Sequence, residues 1–185
     1  MGLLSRRSPG LYLRKLISSL LAQGKIASAE VKPSYRPIPL KPLPRTYSRR
    51  VVVVGDAAGQ VKPTTGGGIY FGLLCADIAV NNLHRALKID NLSAKNLANY
   101  EREWKKKLGR ELKICYYARK FYEHLSDRQI ERIFDIIKSR GIDEALLKEK
   151  DLAFDWHGEV ILRLLGHRVL SKAIEVMKIP FRIGV

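Results

Sequence analysis

The chain has 185 residues and a formal net charge of +16, from 34 Lys and Arg against 18 Asp and Glu. Hydrophobic residues make up 46% and charged residues 28%, which excludes a disordered chain and allows one ordinary domain with a core. The positive excess must lie mostly on the surface, where it favours nucleic acid, acidic lipid headgroups or a phosphorylated substrate.

Cysteine usage and hydropathy indicate the compartment. Cys75 and Cys115 are far apart in the sequence, so we expect no disulfide scaffold and a reducing compartment. Neither the cysteines nor the four histidines have a metal-binding spacing, so we expect no metal. The longest apolar candidate, residues 69–80, is interrupted by Asp77 and is too short to span a membrane. The first residues do not resemble a signal peptide. We therefore expect a cytoplasmic protein with peripheral membrane contact as an option.

The N-terminal part predicts one helix and an extended connection. Apolar residues at helical spacing begin at Leu13, Ser8-Pro9 can start the helix, and Gly24 can end it. A short strand is expected at residues 26–31. Five prolines between residues 33 and 44 then predict an extended connection.

The middle of the chain predicts a strand, a glycine-rich turn and a helix. Val51–Val54 is a β-branched run without alternation, typical of a strand buried on both faces of a parallel sheet. A helix should follow from residue 68 to residue 87. Its predicted inner stripe is Leu73, Ala76, Ala79, Val80 and Leu83.

Beyond Ser93 the pattern is helical. Ser126 and Gln129 form a candidate capping box, Gly141 is a stop, and further helices are expected at residues 144–148, 157–165 and 169–177. The fold class is therefore a helix-rich α/β protein. It divides into residues 1–50, a strand–turn–helix region at 51–90 and an all-helical region at 91–185.

The segment that carries chemistry runs from the valine strand through three consecutive glycines. The strand delivers Asp56 at its C-terminal end, where ligands of open α/β sheets bind. Gly66, Gly67 and Gly68 present bare amides where a helix begins, and the positive end of the helix dipole there suits an anion or a polarised carbonyl.

This segment resembles the second FAD motif of flavoproteins built like glutathione reductase and aromatic hydroxylase. The resemblance implies that Asp56 hydrogen-bonds a ribityl hydroxyl and that Gly66–Gly68 lies near the flavin N1 and O2 edge. The cofactor-binding residues implied in this way are Gly55, Asp56, Ala57, Gly59, Pro63, Thr65, Gly66, Gly67, Gly68 and Ile69.

Details of the motif narrow the resemblance to the geranylgeranyl reductases, which saturate isoprenoid double bonds. Gly59 stands where aromatic hydroxylases have His, Gly66–Ile69 replaces their Asn-containing turn, and Arg45–Tyr47 fits the lead-in. The resemblance covers residues 33–141. It implies an FAD-dependent oxidoreductase that acts on a prenyl lipid, with no catalytic residue identified. Other members of the superfamily, such as quinone-linked dehydrogenases and halogenases, remain alternatives.

The Gly-x-Gly-x-x-Gly fingerprint of the family does not precede Val51. We therefore expect the chain to correspond to the C-terminal portion of such an enzyme, with a separate N-terminal FAD-binding half as a partner. The alternative is a non-catalytic, basic remnant that binds a membrane or another subunit.

Two further features have competing interpretations. Lys62 could support reduced flavin, but we expect it to point to water. The basic run from Arg102 to Lys113, beside Trp104 and Tyr117, is either a solvated face or a contact with anionic membranes. No nucleic-acid-binding module is recognisable, so no nucleic-acid partner is expected.

Overall fold

The computed structural model describes residues 3–5, 7–30, 32–148, 153 and 155–168. The chain divides into two compact units, Met1–Ile38 and Pro39–Val185. The helix expected at residues 169–177 lies outside the described residues. The three-region division at residues 50 and 90 stays a prediction.

The first unit contains helix α1, Pro9–Ala22. It begins with proline in its first turn and ends as predicted, since Gly24 has a φ of 64° and its backbone N–H donates to Leu21 O at 2.9 Å. The strand expected at residues 26–31 is wrong for residues 26–30, which are not in a strand, while residue 31 is not described. Ile26 is followed by small and polar residues, and β structure needs a neighbouring strand that this unit does not offer within its described residues.

The second unit contains a two-stranded sheet, β1 (Tyr47–Ser48) and β2 (Val51–Val52). The strands are antiparallel, with Tyr47 opposite Val52. The predicted strand buried on both faces of a parallel sheet is therefore wrong in this structure, because Val51 is 49% exposed and the described part of the chain offers β2 only one partner. A β-branched run favours an extended backbone, but its burial depends on neighbours.

Within the described residues, five α-helices follow the sheet. The predicted capping box is confirmed, because the Ser126 hydroxyl accepts from Gln129 N and the Gln129 side chain accepts from Ser126 N. Gly141, at a φ of 62°, separates two of the helices, as predicted. The helices are α2 (Ile69–Lys88), α3 (Ala94–Tyr122), α4 (Asp127–Ser139), α5 (Ile142–Leu147) and α6 (His157–Gly166). None of the helices that the structure describes is long and apolar enough to cross a membrane.

The core lies where α2, α3 and β2 meet. Its buried members are Phe71, Cys75, Ile78, Ala79, Tyr100, Trp104, Leu108 and Leu112. The predicted inner stripe of α2 is wrong at Leu73 and Val80, which are 67% and 63% exposed, whereas Cys75 is fully buried. The helix has two apolar stripes, and helical periodicity does not distinguish the one that faces the core.

Candidate functional site

The turn after β2 presents Asp56 to solvent. Gly55–Ala58 forms a single 3-10 turn, and Asp56 on it is exposed. Gly59 closes the turn at a φ of 70°, and any Cβ there would overlap Lys41 O and stand 2.8 Å from Pro42 Cα. Only glycine satisfies both constraints, so Gly59 fixes the shape of the turn.

A buried hydrogen-bond chain holds this turn on α3. Gly55 N donates to Gln60 Oε1 at 2.8 Å, and Gln60 Nε2 donates to Tyr100 Oη at 2.9 Å. Tyr100 Oη then donates to Val53 O at 2.9 Å. Burial raises the pKa of the Tyr100 hydroxyl from 10.0 to about 12, so it stays neutral and can serve as both donor and acceptor.

The glycine-rich segment folds into a tight loop. Lys62 N donates to Gly67 O at 2.8 Å, and Gly66 N donates to Lys62 O at 2.7 Å. Gly66 has a φ of 76°, which favours glycine. Thr65 Oγ1 accepts from Gly67 N at 3.2 Å. Because these bonds are satisfied within the loop, the amides of Gly66 and Gly67 are already engaged.

Lys62 does not point to water. Its side chain is buried beneath the loop and forms an ion pair with Asp155, which corrects the expectation of an exposed position. Charged ends are buried only when paired, and the partner lies 93 positions away, where the sequence pattern gave no signal.

Side chains from two helices hold the outer part of the loop. Thr64 Oγ1 lies 2.7 Å from His157 Nδ1 on α6. Arg119 Nη1 on α3 donates to the carbonyls of Pro63 and Thr64, at 3.3 Å each. Pro63 itself is fully buried. The loop is therefore fixed by the helical region.

The N-terminus of α2 has no side-chain cap. A helix leaves its first amides without intrahelical acceptors, so this end can donate to a ligand. Gly68 stands directly before it, and a Cβ on Gly68 would overlap Asp56 Oδ1. The Asp56 carboxylate therefore lies against the start of α2, next to Ile69, which is 84% exposed.

The structure brings together only some of the predicted site residues. Asp56 and Gly68 meet at the start of α2, with Ala57, Thr65 and Gly67 exposed nearby in the chain. Gly59 and Pro63 are buried in the packing of the turn. Their assignment as cofactor contacts stays a prediction.

The side chains of Thr46 and Glu101 hold the start of β1 against α3. Thr46 N and Oγ1 both donate to Glu101 Oε2, at 2.6 and 3.1 Å, and Trp104 Nε1 donates to Thr46 Oγ1 at 2.9 Å. Burial alone would raise the pKa of Glu101, but the hydrogen bonds from Lys105 and Thr46 outweigh it and hold that pKa below its ordinary value. Glu101 is thus a charged anchor for β1.

The chain is similar to named reductases over most of its length. No protein-family model matches the chain. Digeranylgeranylglycerophospholipid reductase from Methanocaldococcus jannaschii is 36% identical over 137 residues, which is 71% of this chain and 35% of that protein. Digeranylgeranylglycerophospholipid reductase 1 from Methanopyrus kandleri is 31% identical over 159 residues, 83% of this chain and 41% of that protein.

One solved structure has the same fold. A geranylgeranyl bacteriochlorophyll reductase-like protein from Thermoplasma acidophilum matches 94% of this chain and 41% of that chain, with a TM-score of 0.70 and 18% identity. The chain thus spans between about a third and two fifths of the length of the relatives it matches. These relatives define a class of reductases named for geranylgeranyl groups. The chain is a homologue of the digeranylgeranylglycerophospholipid reductases and matches their C-terminal part, as the motif had indicated.

Proposed function

We propose that the chain forms the C-terminal portion of an FAD-dependent oxidoreductase that reduces the double bonds of an isoprenoid lipid. The observation that carries the proposal is the uncapped N-terminus of α2 beside the Asp56 carboxylate. Asp56 and Gly68 fit a flavin, because the missing Cβ of Gly68 lets the exposed Asp56 carboxylate, an acceptor, stand beside the amide donors at the start of α2. Bound FAD supplies hydride chemistry.

Each group at the site has a distinct role in the proposal. The Asp56 carboxylate accepts a hydrogen bond from a ribityl hydroxyl. The first amides of α2 donate towards the pyrimidine edge of the ring, where the positive end of the helix dipole stabilises negative charge. The Gln60–Tyr100 chain orients Asp56 by fixing the amide that precedes it.

The exposed stripe of α2 supports a partner for this chain. Ile69, Leu73, Val80 and Leu87 are 84%, 67%, 63% and 62% exposed and lie at helical spacing. An apolar face of this kind is costly in water and marks an interaction surface. We propose that it packs against the N-terminal FAD-binding half, whether that half is a separate chain or a preceding segment.

Peripheral contact with an anionic membrane is a further part of the proposal. The basic run predicted on α3 is exposed at each of its members, namely Arg102, Lys105, Lys106, Lys107, Arg110 and Lys113. Trp104 is 1% exposed and packs in the core, so the contact would be electrostatic, without a Trp104 anchor. Lower affinity for anionic vesicles at higher salt would test it.

Flavin binding is the direct test of the site. FAD is titrated with the purified chain and its fluorescence quenching is followed, for the unaltered protein, Asp56→Ala and Asp77→Ala. Asp77 is exposed on α2 and away from its N-terminus, so it controls for charge. Loss of a hydrogen bond to a charged group, about 1.5–3 kcal/mol, predicts a roughly 10- to 100-fold weaker Kd for Asp56→Ala only.

Equal affinities for Asp56→Ala and the unaltered chain would overturn the assignment of Asp56. A chain that binds anionic vesicles but no flavin, alone or with its N-terminal half, would favour the non-catalytic alternative.

A further inference from the structure

A cleft of about 420 Å³ lies between α3 and the extended segment that precedes β1. Its size is within the range of small-molecule sites, about 300–1,000 Å³. The walls are mainly apolar and aromatic. They include Pro42, Leu43, Pro44, Trp104, Leu112 and Tyr116.

Lysines line the same cleft. Lys41, Lys105 and Lys113 are all exposed. Lys105 is paired with Glu101 at 2.8 Å, whereas no carboxylate in the described part of the chain forms an ion pair with Lys41 or Lys113. The ammonium of Lys41 lies 6.0 Å from the centre of the Tyr116 ring. An apolar cleft with these cations complements an amphiphile with an anionic end.

Gly109 keeps the cleft open. It lies in the interior of α3 and lines the cleft, although glycine is unfavourable inside a helix. Among the described residues, a Cβ on Gly109 would meet only Lys105 Cβ, at an ordinary 3.8 Å. Packing within the described part of the chain therefore does not require glycine, and a larger side chain would occupy space in the cleft. A ligand that approaches the helix backbone explains the residue.

The cleft is connected to the Asp56 turn. Leu43 N donates to Ala58 O at 3.0 Å, and the backbone of Lys41 and Pro42 lies against Gly59. One wall of the cleft is therefore built on the turn that carries the proposed flavin ligand.

We propose that this cleft binds the phosphate-bearing end of an isoprenoid lipid. The phosphate contacts Lys41 and Lys113, and the adjoining part of the chain lies against the aromatic and proline walls. The choice of an isoprenoid rests on the proposed function, whereas the phosphate and the apolar chain follow from the cleft itself.

The experiment measures binding of farnesyl monophosphate to the full chain by calorimetry, without flavin and below the critical micelle concentration of the probe. The charge test is the double variant Lys41→Ala/Lys113→Ala. Its matched control is Lys88→Ala/Lys95→Ala, which removes the same charge from exposed residues of α2 and α3 that do not line the cleft. Circular dichroism verifies that each variant keeps its helical content.

We expect the Lys41→Ala/Lys113→Ala pair to weaken binding about tenfold, and the control pair to change it less than about twofold. Equal losses in both pairs would show attraction to net charge and overturn the proposal. Inorganic phosphate, farnesol and ADP should each bind at least about tenfold more weakly than the probe. Comparable affinity for any of them would show that the cleft does not require a phosphate joined to an apolar chain, and would overturn the proposal.

Gly109→Leu tests the cleft without changing charge. We expect it to weaken farnesyl monophosphate binding about tenfold or more while the helix remains folded. Unaltered binding in this variant, or no binding by the unaltered chain, would overturn the proposal. Since no flavin is present, these results are independent of the Asp56 titration, and either proposal can fail alone.

Discussion

Both carboxylate oxygens of Glu111 accept hydrogen bonds from the backbone N–H of Gly158, at 2.9 and 3.1 Å. Glu111 is on α3 and Gly158 is in the first turn of α6, so a buried carboxylate caps a second helix. Cys115 Sγ donates to the same carboxylate at 3.1 Å. Burial, followed by the contact with Glu111, raises the pKa of the Cys115 thiol and keeps it a donor.

Replacing Glu111 by Ala should release α6 from α3. The variant leaves the buried amide of Gly158 without an acceptor, which predicts a loss of about 2 kcal/mol in the free energy of unfolding. Glu159→Ala, which removes an exposed pair with Arg163, should cost about 0.5 kcal/mol or less. Urea denaturation compares the two. Similar losses would show that the cap contributes no more than a surface pair.

The two helical glycines Gly109 and Gly158 should respond to alanine in opposite directions. Gly109→Ala should stabilise the protein by about 0.5–1 kcal/mol, because alanine favours the helix and its Cβ has room. Gly158→Ala should destabilise it, because the new Cβ would overlap Glu111 Oε2. Thermal unfolding of both variants provides the measurement, and a destabilised Gly109→Ala would contradict the room assigned beside α3.

Adjacent glycines of the site offer a second matched pair. Gly68→Ala would force its Cβ into Asp56 Oδ1, whereas a Cβ on Gly67 would meet Thr65 Oγ1 at 3.3 Å and Lys62 Cε at 3.6 Å. We expect Gly68→Ala to weaken FAD binding about tenfold or more and Gly67→Ala to have a smaller effect. Fluorescence quenching measures both. Equal effects of the two substitutions would show that displacement of Asp56 does not cause the loss of FAD affinity.

Alkaline pH should unfold the core. Burial raises the pKa of Cys75 from 9.0 to about 12 and that of Tyr100 from 10.0 to about 12. Both groups are neutral in the folded protein at pH values where the unfolded chain would ionise them. The stabilisation is therefore complete below about pH 9 and is lost as pH rises towards 12.

Denaturant unfolding across this range provides the test. Cys75→Ala should be less stable at neutral pH through lost packing, but its stability should fall less steeply above pH 9, because one of the buried groups that titrate there is gone. The same steepness in both proteins would assign the alkaline transition to other groups.

Local signals in the sequence predicted local structure well. The ends of α1, the capping box at Ser126 and the helix after Gly68 are set by residues within a few positions of one another. The resemblance to geranylgeranyl reductases is confirmed by the names of the chain's relatives, whereas the FAD contacts of the motif stay a prediction.

Features that depend on distant partners were missed. Lys62 was expected in water because the sequence does not reveal that Asp155 folds against it. The roles of Gln60 and Tyr100 also depend on a contact across 40 positions. The error in the predicted inner stripe of α2 has a related cause. Apolar residues lie on two faces of this helix, and only tertiary packing decides that Phe71 is buried and Leu73 is exposed.

The hydrogen-bond chain from Gly55 through Gln60 to Tyr100 has a thermodynamic consequence. If a ligand at the Asp56 turn and the docking of α3 each favour the same arrangement of this chain, the two are linked, and linkage is reciprocal. Ligand binding would then stabilise α3 against the opening that permits hydrogen exchange. The free energy of this stabilisation would equal the free energy by which a docked α3 increases the affinity for the ligand. In that case the helical region would set the affinity of the Asp56 turn for its ligand as well as support the turn.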